Sequence, residues 1–235
     1  MSDLFAVTEA TWPAAAFHKV GPFLVREGKG GGQRVSAATA EGDWTGADID
    51  AVEVAQKGLG QHPLFMIRPD DTGLDAALAA RGYTVKDPVN LYEAPVSALL
   101  GEVKRLSAFT IWPPLAIMRD IWAEGGIGPD RIAVMERAKG PKTTVLGRVN
   151  DRASGAAYIA IHGKTAMLHA LHIVPDQRRQ GSAVNMMREA AKWAQDHGAE
   201  RFSVLVVQSN NAAIALYTSL NMQLVGHYHY RSYKP

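Results

Sequence analysis

The sequence predicts a mixed α/β fold, and two segments of the C-terminal half carry that prediction. In the first segment, the apolar run 167–174 predicts a buried strand, and the apolar spacing of 182–193 predicts an amphipathic helix. In the second segment, a predicted strand over 202–208 precedes a helix that begins near Asn210. Strands that alternate with helices are typical of a sheet with helices packed on its faces.

The loop between strand and helix in the first segment has the composition of an anion site. Pro175 ends the strand because proline has no N–H to donate to a neighbouring strand. Arg178 and Arg179 supply positive charge, and Gly181 and Ala183 are small enough for a bulky anion to approach the helix start. The loop therefore predicts phosphate or pyrophosphate binding, with a plain strand-to-helix connection as the alternative.

Two motifs in these segments resemble those of a known family. The pattern Arg178-x-x-Gly181-x-Ala183 resembles the acyl-CoA pyrophosphate loop of the GCN5-related N-acetyltransferase (GNAT) superfamily, and Asn210-x-x-Ala213-x-x-Leu216-Tyr217 is similar to a later helix of that superfamily. Asn221 stands where these proteins usually have glycine, and asparagine also tolerates left-handed backbone. Met222 replaces the usual aromatic residue. The resemblance implies a GNAT fold, acetyl-CoA as co-substrate and N-acetyltransferase activity.

The resemblance also implies a set of site residues. Tyr217 is the expected general acid for the leaving thiolate, and a backbone N–H near Ile173 is expected to bind the thioester oxygen. His169 is the expected general base, and His172, which period-2 alternation puts on the opposite strand face, is the second candidate. A core tyrosine and a core histidine are the structural alternatives. The residues expected to bind the co-substrate are Ile173, Val174, Arg178, Arg179, Gln180, Gly181, Ser182, Ala183 and Asn210.

The N-terminal part of the chain resembles the C-terminal part in its order of elements. A predicted strand at 63–67, a helix at 71–78 and Gly82 place Asp71 where Asn210 sits and Leu78 where Tyr217 sits. We therefore expect a tandem arrangement, with a degenerate GNAT-like domain at 1–100 and the catalytic domain at 101–235. The first domain would be a packing and substrate-cleft partner. Chance similarity between two α/β segments is the alternative.

Other local patterns predict individual elements. The glycine-rich run 28–32 predicts a hairpin turn between strands at 23–27 and 33–37. A phosphate-cradling loop is the alternative, although the run lacks the Gly-Lys-Ser/Thr ending of a nucleotide loop. Further predicted elements are a helix at 48–59, a helix after Pro113-Pro114 and an antiparallel pair at 143–149 and 156–161. Residues 130–138 predict a short helix, with a strand over 132–135 as the alternative.

Composition narrows the class of protein. The 235 residues carry a formal charge of +2 and no long basic block, so we expect no nucleic-acid partner. The absence of cysteine excludes disulfides and a cysteine nucleophile. The start lacks a secretory pattern and no apolar run is long enough for a bilayer, so we expect a cytoplasmic protein without membrane contact.

The sequence leaves the acceptor and the assembly open. A small-molecule amine and a peptide are both compatible with it, and a non-catalytic acyl-CoA-binding sensor is the alternative to an enzyme. The alternating tail 227–233 would line the acceptor pocket or form a homodimer interface. Its histidines at 227 and 229 have no apparent third ligand nearby, so we expect no metal site.

Overall fold

The structure is a computed structural model that describes residues 3–233. The helices are α1 (Leu4–Thr11), α2 (Gly46–Gly58), α3 (Thr72–Ala80), α4 (Val96–Leu99), α5 (Ala116–Glu124), α6 (Pro129–Arg137), α7 (Ser182–Asp196) and α8 (Asn211–Ser219). The strands are β1 (Ala16–Val20), β2 (Phe23–Glu27), β3 (Thr39–Ala40), β4 (Leu64–Ile67), β5 (Thr84–Pro95), β6 (Ala108–Ile111), β7 (Lys142–Val149), β8 (Arg152–His162), β9 (Thr165–Ile173), β10 (Arg201–Val207) and β11 (Gln223–Ser232). Within 3–233, none of the helices combines the length and the apolar character needed to cross a bilayer.

The chain divides into two compact units. The larger unit contains residues 3–13, 91–206 and 210–225, and the smaller unit contains residues 14–90, 207–209 and 226–233. The predicted mixed α/β fold is confirmed, since both units combine helices with strands. The domain boundary at residue 100 and the degenerate first copy stay predictions.

The larger unit is built on a mixed sheet with strand order β5-β10-β9-β8-β7-β6. Strands β6 to β9 run antiparallel to one another, and β10 runs parallel to β9. Helix α7 packs on β6 to β9, while α1 and α5 pack on β8 and β9. The predicted pairing of 143–149 with 156–161 is confirmed by the β7–β8 register. This sheet positions the end of β9 and the start of α7.

Strand β9 changes character halfway along its length. It pairs with β10 from Thr165 to Leu168 only, although it continues to Ile173. On its other side, Tyr158 pairs with His169 and Ala156 pairs with His172, so two residues of β9 oppose one residue of β8. This is a β-bulge, and Ala170 within it has a φ of 52°. The bulge lies where β9 and β10 cease to pair.

The smaller unit contains the three-stranded antiparallel sheet β1-β2-β3, and its β4 pairs antiparallel with β11. The predicted hairpin around the glycine-rich run is wrong, because β2 pairs with β1 and residues Gln33–Val35 form a 3-10 turn. The side-chain amides of Gln56 and Gln61 donate to the Ser36 carbonyl at 3.1 and 3.4 Å. These amides therefore satisfy a carbonyl that a strand partner would otherwise bind.

Candidate functional site

The loop after β9 ends in a glycine that is exposed to solvent at the start of helix α7. Gly181 is the N-cap of α7, it has a φ of 79°, and it provides no side chain to cap the first helical N–H groups. A Cβ built at Gly181 meets no atom within 4 Å. Arg178, Arg179 and Gln180 of the same loop are exposed. The start of α7 therefore presents free N–H groups beside two cations, which suits an anionic ligand.

The loop is held by contacts that the sequence did not reveal. The hydroxyls of Ser154 and Ser182 lie 2.6 Å apart in a buried hydrogen bond. Asn150 Nδ2 donates to Gln180 Oε1 at 2.9 Å. The Ser182 side chain therefore points into the protein, so that its backbone N–H is the group it offers to a ligand, while the half-buried Ala183 follows it in α7.

The end of β9 is joined to the loop. Arg178 Nε donates to the carbonyl of Ile173 at 3.1 Å, which ties the start of the basic loop to the last residue of the strand. The N–H of Val174 donates to the Ser154 carbonyl at 2.9 Å. Ile173 and Val174 are both half-buried. The predicted residues of the strand end and of the loop are thus brought together in the structure.

The bulge corrects the expectation that the two histidines of β9 point to opposite faces. Directly paired residues of antiparallel strands share a face, and Tyr158 and Ala156 of β8 are two residues apart. Their partners His169 and His172 therefore lie on one face, the face that α5 packs on. The inserted residue interrupts the regular alternation of side chains between the two faces of β9, from which opposite faces were expected for the two histidines.

His169 is a core residue at the end of α1. It is 5% exposed, and its Nε2 shares a hydrogen bond of 2.9 Å with the hydroxyl of Thr11. Its ring lies 5.0 Å from the ring of Trp12 and 6.0 Å from that of Tyr158. Helix α1 was missed in the sequence because its apolar pattern covers only two turns.

Tyr217 and Asn210 occupy the two ends of α8. The Asn210 side chain accepts a hydrogen bond of 3.1 Å from the N–H of Ala213, so it caps the helix. Tyr217 is 5% exposed, its ring lies 6.1 Å from that of Tyr92, and burial raises its pKa to about 12. Tyr217 belongs to the buried cluster against which Ile173 packs. A phenol with this pKa stays protonated at neutral pH and can donate a proton.

The comparisons with known proteins agree with this architecture. Residues 115–222 match the acetyltransferase (GNAT) family. The uncharacterized N-acetyltransferase YobR of Bacillus subtilis is 25% identical over 232 residues, which cover 94% of each chain.

Solved structures show the same fold at low identity. A GCN5-related N-acetyltransferase from Kribbella flavida superposes with a TM-score of 0.72 at 15% identity and covers 99% of this chain and 95% of its own. A tandem GNAT protein from the clavulanic acid biosynthesis pathway superposes with a TM-score of 0.61 at 13% identity, covering 85% of this chain and 76% of its own. The predicted GNAT fold is confirmed by these superpositions.

Proposed function

Because this chain belongs to the GNAT superfamily and is an N-acetyltransferase, we propose that it transfers acetyl from acetyl-CoA directly to a primary amine. The observation that carries the proposal is the opening between β9 and β10 beside the free helix start at Gly181. An extended ligand with a diphosphate at one end needs a strand edge and an anion site next to each other. Both features are found at this corner of the larger unit.

The residues of the loop and of α8 would hold the co-substrate. The N–H groups from Gly181 to Ala183, with Arg178 and Arg179, would bind its diphosphate. The edge of β9 from His169 to Ile173, which β10 leaves uncovered, can pair with the amides of the pantetheine arm as an added strand would. The cap that Asn210 provides uses its side-chain oxygen, so its Nδ2 group is left to donate to the arm.

The chemistry then needs three further groups. A backbone N–H near Ile173 would polarise the thioester carbonyl as negative charge develops on its oxygen. A histidine of β9 would take the proton of the acceptor amine, and His169 is the one that the family pattern indicates. Tyr217 would protonate the departing thiolate. Because the chain has no cysteine, a thiol-linked acyl-enzyme is excluded and the amine attacks the thioester itself.

The test is acetyl transfer to a panel of amines that includes phenethylamine, spermidine, kanamycin, L-lysine and an alanine-terminated peptide. The released thiol is followed with a disulfide chromogen, which the protein itself cannot consume because it has no cysteine. We expect thiol release that depends on both acetyl-CoA and one class of amine. Binding of acetyl-CoA by calorimetry without turnover on any amine would instead favour a sensor, and absence of binding would contradict the proposed site.

A further inference from the structure

His172 lies against the end of α5, at the uncovered part of β9. A Cβ built at Gly125, the residue after α5, would lie 2.6 Å from His172 Nδ1. Gly125 has a φ of −82°, so its backbone needs no glycine. The missing side chain at this position is explained by the close approach of the imidazole. This contact holds the ring on the face of β9 that also carries His169.

The charges around His172 favour a neutral ring. Burial lowers the pKa of His172 most, the positive charge of Arg178 lowers it further, and the carboxylate of Glu124 on α5 opposes both. A histidine whose pKa is below its usual value of about 6.5 is unprotonated at neutral pH. His172 is therefore able to accept a proton under the conditions in which an amine would react.

His169 is less suited to that task. Its Nε2 is engaged with the hydroxyl of Thr11 and its ring is enclosed by aromatic side chains, with 5% of its surface exposed. His172 is half-buried and lies next to Ile173, near which the thioester carbonyl is placed in the proposed function. A proton acceptor must reach the attacking nitrogen directly or through one water.

We propose that His172, which the bulge turns to the face of α5, is the general base of acetyl transfer in this chain. The inference depends on the proposed function. The amine nitrogen forms a bond to the thioester carbon while its proton passes to the imidazole, the C–S bond breaks, and Tyr217 gives its proton to the sulfur. The imidazolium releases its proton to solvent and the phenolate regains one. Gly125 is the positioning residue that leaves room for the ring.

The first experiment compares His172→Gln with His162→Gln, whose histidine is exposed at the end of β8. The probe is the amine of the panel that the unmodified enzyme acetylates fastest. We expect kcat/KM for that amine to fall about 100-fold or more in His172→Gln and to stay unchanged in His162→Gln. Calorimetric Kd values for acetyl-CoA should agree within about twofold, a change of less than 0.5 kcal/mol.

The pH profile separates a base from a merely structural residue. In the unmodified enzyme, kcat/KM should rise with pH through an apparent pKa below about 6.5, and this acidic limb should vanish in His172→Gln. Glu124→Gln should move the limb to lower pH, because the carboxylate raises the pKa of His172. A limb that is unmoved by both substitutions would contradict the inference.

A pair of glycine substitutions tests the positioning by Gly125. Gly125→Ala should displace the imidazole and lower kcat with little change in acetyl-CoA affinity. Gly128→Ala is the matched control, because Gly128 has a φ of −83° and a Cβ there meets nothing within 4 Å. Full activity of Gly125→Ala would count against the positioning.

The outcomes distinguish this inference from the function on which it depends. Normal turnover and a normal acidic limb in His172→Gln, with both lost in His169→Gln, would overturn the inference and leave acetyl transfer intact. Failure of the unmodified enzyme to acetylate any amine would overturn the proposed function and, with it, the role of His172.

Discussion

Helices α3 and α8 end in the same way, although they belong to different units of the molecule. The N–H of Tyr83 donates to the carbonyl of Leu78 at 3.0 Å, and the N–H of Met222 donates to that of Tyr217 at 3.1 Å. Each bond closes over a residue with positive φ and is followed by a strand. The predicted correspondence of Leu78 with Tyr217 thus has a matching backbone, while common descent of the two halves stays a prediction.

The two helices differ in their side chains. Asn210 caps α8 through the N–H of Ala213, whereas the carboxylate of Asp71 accepts from the N–H of Arg68, outside α3. The position of the phenol in α8 is taken by Leu78 in α3, which is fully buried. A few residues are enough to specify a helix ending, but single side chains decide whether the helix can take part in chemistry.

The largest expected effect of this difference is on turnover. Tyr217→Phe removes the phenolic hydroxyl, which has no equivalent in α3. Because the leaving thiolate then has no proton donor, kcat should fall about 100-fold while the Kd for acetyl-CoA changes little. The measurement is steady-state turnover beside calorimetric binding. Tyr92→Phe, which alters the neighbouring ring, is the control, and equal loss in both variants would make Tyr217 a packing residue.

The next effect concerns α7, the helix that begins at the end of the basic loop. Gly181→Val should weaken acetyl-CoA binding about tenfold or more, because a branched side chain would cover the free N–H groups. Gly198→Val at the other end of α7 is matched, since Gly198 has a φ of 80° and its Cβ also meets nothing within 4 Å. Both variants should lose a similar free energy of unfolding in urea. Equal affinity for acetyl-CoA in the two variants would contradict the placement of Gly181 in the binding site.

A smaller effect belongs to α3, whose polar contacts are structural. Asp75 accepts hydrogen bonds from Arg231 and His229, each at 2.7 Å, and the bond from Arg231 is the main cause that lowers its pKa. Asp75→Asn should cost about 1–3 kcal/mol of unfolding free energy at neutral pH. Acetyl-CoA affinity should not change.

The pH dependence of that cost follows from the direction of the pKa shift. A lowered folded-state pKa stabilises the protein above the unfolded-state pKa of about 3.9, and the contribution is lost as the pH falls through the folded-state value. Urea unfolding between about pH 7 and pH 3 should show the difference between the two proteins shrinking. The exposed Asp43, substituted as Asp43→Asn, is the control substitution.

The smallest expected effect is a change in stability when the residues that end α3 and α8 are substituted. Gly82 has a φ of 85° and Asn221 has a φ of 58°, so Gly82→Ala should cost about 1 kcal/mol while Asn221→Gly should be neutral or slightly stabilising. Thermal unfolding of both variants provides the measurement. A large loss in Asn221→Gly would show that its side chain, rather than its backbone, ends α8.

Local sequence patterns predicted those helices and strand pairs that are determined by neighbouring residues in the chain. The amphipathic spacing of α7 and the β7–β8 pair depend on residues close together in sequence, and both were predicted. The predicted strand at 33–37 does not form a hairpin with β2, because the side-chain amides of Gln56 and Gln61 satisfy the carbonyl of Ser36 from distant positions in the chain. Sequence patterns contain no information about such contacts.

The amino-acid order alone was sufficient for the family, the basic loop and the candidate phenol, since these depend on residue types at short fixed spacings. Folding decided that His169 would be enclosed by α1, 158 residues away from Thr11, and that His172 would share its face. The shared face follows from a bulge in β9, which exists only when β9 is paired with β8. A period of two cannot anticipate an inserted residue, so the tertiary structure was needed to assign the histidines.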